Sequence, residues 1–232
     1  MSVNDLVLVQ GMKDTRVTLR RWNDSPLTAV GPWLALSLLT AAGLLMAVWI
    51  VATLSTPDYT RYAIPGLTVE ADGIDYLRVL YRNSLVLALH GMACVAGFMA
   101  GSSIPLSAAN RSGLDRWVHE KAGTFAIGFV VCATCFSLAT QAYGIGGAAT
   151  NLAGQLDISP ATLIVGLLPH AIPELTALFL PLAAWLVASR SGRWEELLAA
   201  TFVTVGLAVP VLLASAAVEL WVSPHLLAAL AG

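Results

Sequence analysis

Five stretches of roughly twenty or more mostly apolar residues, at about 27–56, 84–109, 122–143, 160–189 and 197–222, constrain this chain most. Roughly 20 such residues make a helix long enough to cross the hydrocarbon of a bilayer. Inside lipid every backbone polar group must be satisfied within the chain, so runs of this length predict helices. Composition agrees, with 57% hydrophobic and 11% charged residues, where soluble domains carry roughly 25% charged. The expected fold is an all-α integral membrane protein with a bundle of five transmembrane helices. Residues 27–232 form one polytopic domain, and 1–26 an amphipathic N-terminal segment. A net charge of −2 excludes nucleic-acid binding by bulk charge.

Charge placement predicts the orientation. Lys13, Arg16, Arg20 and Arg21 precede the first stretch; Arg111, Arg116 and Lys121 lie between the second and third; Arg190 and Arg193 lie between the fourth and fifth. The other connections hold only Arg61, Arg78 and Arg82. Basic residues favour the cytoplasmic side, so the N-terminus is expected in the cytoplasm and the C-terminus outside a cell (inner or plasma) membrane. The first apolar run is too long for the core of a cleavable signal, and none is expected.

Residues 12–25 mix Val17, Leu19 and Trp22 with basic side chains, a composition suited to the membrane surface. The charged stretch 114–121 is either a solvated turn or a docking surface for a cytoplasmic partner, through Arg111, Asp115, Arg116, Trp117 and Lys121. The first external loop, about 57–81, ends in an amphipathic stretch with Ile74, Leu77 and Leu80 that leads into the second helix. Gly91, Ala93, Gly97 and Gly101 on the second helix suit close helix packing. Cys132 and Cys135 form a C-x-x-C flanked by membrane helix, which reads as small apolar residues and not as a redox loop or zinc knuckle. His90 reads as a packed or hydrogen-bonded histidine, and His119 as solvated.

The fourth stretch carries Leu168-Pro169-His170-Ala171-Ile172-Pro173-Glu174-Leu175. Four residues apart on a helix, His170 and Glu174 share a face. Ionisable groups in such a segment are costly, so they point at a partner, a cavity or a pathway. Pro169 disfavours helix at Leu168, while Ser159-Pro160 is a helix start. A re-entrant or interfacial helix over about 160–168, then a span from His170, is therefore expected. That break would bring His170 and Glu174 to the outer-side depth of Glu219 on the fifth helix. A continuous helix from Pro160 would leave His170 near mid-membrane, apart from Glu219.

The segment from Pro169 to Leu175 resembles the Pro-His-Gly-x-x-Glu-Leu signature of the stage II sporulation protein M family. Ala214 to Pro224, with Glu219 followed by Leu220, Trp221 and then Pro224, is similar to that family's second signature. Asn83 stands where the family has an asparagine opening its second helix. The match covers about 75–225. Departures are Ala171 for glycine, Ser84 for a second asparagine, and 180–184 for a glycine-rich stretch, which marks a divergent member. The resemblance implies a prokaryotic envelope protein that scaffolds or anchors partners, with Asn83, Pro169, Pro173, Leu175 and Pro224 supporting a polar cluster of His170, Glu174 and Glu219.

Three functions compete. The first is a non-enzymatic membrane subunit working with other envelope proteins or with copies of itself, without cofactor or metal. The second is a permease-like subunit of an ABC-type exporter; no P-loop occurs here, so a cytoplasmic ATPase would be a separate chain. The third is an intramembrane zinc hydrolase using His170, Glu174, Glu219 and His225. H-E-x-x-H is absent and H-x-x-x-E alone is a weak zinc signal.

Overall fold

The computed structural model describes residues 7–58, 60–103, 112–114, 117 and 121–231. Helix α1 covers Val7–Asp24, α2 Pro26–Leu54 and α3 Gly73–Phe98, which passes into a π-helical turn at Met99–Ser103. Then follow α4 over Ala122–Gln155, α5 over Pro160–Arg190, a 3-10 turn at Trp194–Glu196, α6 over Leu197–Trp221 and α7 over Ser223–Ala231. No β-strand occurs among the described residues. Among the described residues five helices are long and apolar enough to cross a membrane, so the chain is built as a multi-pass membrane protein.

The chain divides into two compact units, with α2 to α6 each contributing a segment to both. The first comprises Met1–Ser37, Val86–Ala133 and Leu178–Ala208. In it α1 buries Gly11, Thr18 and Trp22, with Thr15 and Leu19 half-buried, a helical stripe. Trp22 meets Trp33 of α2 edge-on, ring centroids 5.0 Å apart, over Leu180, Ala183, Ala184, Ala199 and Ala200. A second cluster sets Trp185 among Cys94, Phe98, Ala188 and Leu197. Gly97 is required there, because a Cβ would strike the Trp185 indole. Gly101 likewise lies against Trp194. Buried Glu196 pairs with Arg21 of α1, and with Arg193 at 3.2 Å.

The second unit comprises Leu38–Leu85, Thr134–Ala177 and Val209–Gly232. Here α2 and α4 approach closely: the Thr150 hydroxyl donates to the Ala52 carbonyl, and Gly146 faces Val51. The loop after α2 is fastened to α4. Asp58 N–H donates to Asn151 Oδ1 at 2.8 Å, and Gln155 receives the Tyr62 N–H at 2.9 Å while donating to its carbonyl at 3.1 Å.

One expectation changes. The break near Leu168 is absent, since α5 is one helix from Pro160 to Arg190, passing through Pro169 and Pro173. Each proline removes one backbone donor, a loss that helices within a bundle tolerate. Ser159 caps it as expected, its Oγ accepting from Thr162 N–H at 3.0 Å. The amphipathic stretch with Ile74, Leu77 and Leu80 leads into the second span as expected, the helix beginning at Gly73. Asp72 Oδ1 accepts from Ile74 and Asp75 N–H at 2.8 and 2.9 Å, while Asp75 Oδ2 receives the Asp72 N–H at 3.3 Å, a reciprocal cap. Those amides, Asp75's first, hold the Asp72 carboxyl below its ordinary range.

Candidate functional site

The capped start of α3 sets its register. Asp75, Arg78, Val79 and Arg82 then fall on one helical face, and that face lines a cavity of about 490 Å³ within the second unit. Its other walls include Ala63, Ile64 and Pro65 of the loop, His170 of α5, Glu219 of α6 and Ser223 of α7. The loop turns at Gly66, whose φ of 81° lies in the left-handed region. A Cβ there would strike the Leu220 carbonyl, so glycine brings the loop down onto the end of α6.

His170 is 8% exposed and shares a 2.7 Å hydrogen bond between its Nδ1 and Ser223 Oγ. Ser223-Pro224 is a serine–proline helix start like Ser159-Pro160. The bond thus ties α5 to the start of α7. The polar surroundings of Glu174 are Glu219, Asn83 and Arg82, and Arg82 is also the charged neighbour of Glu219. Glu174 Oε2 and Asn83 Nδ2 are nevertheless buried without hydrogen-bond partners, as is Thr176 Oγ1. Arg78 is held by Asp75 at 3.0 Å.

The structure therefore gathers His170, Glu174, Glu219 and Asn83 in one neighbourhood, although α5 is unbroken. A helix of 31 residues is about 46 Å long at 1.5 Å per residue, well beyond the roughly 30 Å of a hydrocarbon core. Depth counted from the helix start is then a poor guide to where His170 lies. Pro169 and Pro173 sit within α5, Leu175 is half-buried, and Pro224 lines the cavity. Arg82, Arg78 and Ser223 are members that the sequence did not single out. The signal for the arginines was their spacing of four on the helix that carries Asn83.

Other candidates stand apart. Arg111, Asp115, Arg116 and His119 lie outside the described residues. Trp117 is half-exposed and meets Phe125 edge-on with centroids 5.6 Å apart, and Lys121 is exposed. His90 bonds the Leu178 carbonyl at 2.6 Å and packs on Phe179. His225 is turned to the Trp221 carbonyl at 2.8 Å. Cys132 and Cys135 are exposed and Cys94 is buried, all three free thiols.

No three His, Cys, Asp or Glu side chains are grouped to hold a metal ion among the described residues. The Ser223–His170 pair has the look of a nucleophile and base. However, the imidazole makes no second hydrogen bond to an orienting carboxylate among the described residues. The arrangement can bind charge and hold helices together, and it lacks the third group of a catalytic triad. Comparison with protein-family models, with curated proteins and with solved structures finds no match.

Proposed function

We propose that the protein is a non-enzymatic polytopic subunit of a cell-envelope complex, a divergent relative of stage II sporulation protein M. In this reading it sits in the cell (inner or plasma) membrane with its N-terminus in the cytoplasm and its C-terminus outside. The observation that carries it is the use made of the polar side chains in the second unit. His170, Asn151 and Gln155 bind neighbouring elements through hydrogen bonds that join the helices and the loop after α2. Such contacts contribute about 0.6–2 kcal/mol each and specify a packing arrangement more than they stabilise it. A scaffold needs such a fixed arrangement.

The test is native mass spectrometry from mild detergent. The expected result is a defined envelope partner whose retention falls in His170→Ala. A chain that purifies alone and turns over a substrate overturns the reading.

A permease-like role beside a separate ATPase is the second reading. It is favoured by α1, an 18-residue helix with exposed Lys13, Arg16 and Arg20 on its outward side. Co-purification of an ATPase chain, weakened by Arg116→Glu, is its expected signature. Preparations always free of ATPase exclude it.

A further inference from the structure

The cavity in the second unit is bordered by opposite charges that attract each other without touching. Arg78 is already neutralised by Asp75. Arg82 has no hydrogen bond and no ion pair within 4.0 Å among the described residues. Glu174 and Glu219 are both within its electrostatic reach. Arg82 and Glu219 both line the cavity of about 490 Å³.

Arg82 is exposed and Glu219 half-buried, so each stays open to a ligand group of opposite charge. A ligand that completes this site carries an ammonium for Glu219 and an anionic end for Arg82. The volume suits a small molecule. Leu67, Leu152, Leu167 and Leu227 supply apolar walls for a short carbon chain. The Ser223 hydroxyl and the His170 imidazole add hydrogen-bonding capacity on the side of α7.

We propose that this cavity binds a small zwitterion, its ammonium against Glu219 and its carboxylate or phosphate against Arg82. That chemistry is shared by a free α-amino acid and by the ethanolamine phosphodiester headgroup of a phospholipid. Binding involves no covalent step and does not depend on the scaffold reading.

The experiment uses the full chain in nanodiscs. In discs free of phosphatidylethanolamine, thermal stability is measured with L-alanine and with its two halves, ethylamine and propionate. In parallel, native mass spectrometry compares discs containing phosphatidylethanolamine with discs containing phosphatidylglycerol, which has the phosphate but no ammonium. Stabilisation by alanine above both halves identifies a free amino acid. Retention of phosphatidylethanolamine over phosphatidylglycerol identifies the headgroup.

In either case Arg82→Gln and Glu219→Gln should each weaken binding by about tenfold or more. Arg82→Gln should lose discrimination against the amine-only probe, and Glu219→Gln against the anion-only probe. Arg61→Gln, on the exposed loop, should change nothing. Arg82→Lys keeps the charge and replaces Arg82→Gln if the latter fails to fold. If neither zwitterion exceeds its single-charge counterpart, the proposal is overturned. Loss of the envelope partner with zwitterion binding retained would sink the scaffold reading alone, and the reverse result would sink only this one.

Discussion

In the first unit three tryptophans, Trp22, Trp33 and Trp185, are buried against alanines and glycines, whereas in the second no aromatic ring is buried among the described residues. The second unit instead joins its elements through His170–Ser223, Asn151–Asp58 and Gln155–Tyr62. Aromatic packing gains from dispersion and shape and leaves no room for change. Polar ties are individually weaker, and they leave space and unmet charge beside them. The difference separates a part whose chemistry is packing from a part whose chemistry is available to a ligand.

The largest effect should come from Gly97→Leu, which forces a side chain into the fully buried Trp185 indole. Overpacking of this kind costs about 3 kcal/mol, and a thermal melt should show the loss. An unchanged melting temperature would mean that the first unit is looser than its packing implies.

Glu196→Ala should come next, removing the acceptor for both Arg21 and Arg193, about 2 kcal/mol. Both arginines are solvated enough to be left alone, so the cost stays below that of a fully buried pair. His170→Ala should cost about 1 kcal/mol by leaving Ser223 Oγ unpaired. Loosening of α7, seen as faster amide exchange over 223–231, is the local signature. A uniform change across the chain would contradict the assignment of that bond to α7.

The smallest effect is a pH dependence of the loop after α2. Hydrogen bonds from Thr60, side chain first and then backbone, hold the exposed Asp58 carboxyl below its ordinary range. A lowered folded value favours the native loop above the unfolded carboxylate pKa, about 3.9. The contribution fades as pH falls through the folded value. NMR titration of Thr60 N–H should therefore show the change only on the acid side, and Asp58→Asn should abolish it.

The spans were legible in the sequence because lipid leaves long apolar helices few alternatives. Their ends were less so. The second span starts at Gly73, before its apolar run, because Asp75, Arg78 and Arg82 interrupt the hydropathy while fitting the helix. The third runs on to Gln155 through Gly144, Gly146 and Gly147, which resemble a loop in sequence. In the structure Gly146 instead allows close contact with Val51. Helix α7 went unforeseen although Ser223-Pro224 repeats the start signal used at Ser159-Pro160.

For the site, the spacing of His170 and Glu174 and the position of Glu219 were readable. Arg82 was not, because its approach to both carboxylates depends on the packing of α3. The Ser223 contact was hidden for the same reason, since it joins residues 53 positions apart.

The uneven placement of aromatic residues gives the protein two optical reporters. Of its seven tryptophans, Trp22, Trp33, Trp117, Trp185 and Trp194 belong to the first unit, while Trp49 and Trp221 in the second are partly exposed. Tyr62, Tyr76, Tyr81 and Tyr143 all belong to the second unit. Tryptophan emission excited at the red edge will therefore be weighted towards the first unit. Tyrosine absorbance will follow the second, so the melting of each can be watched without a label.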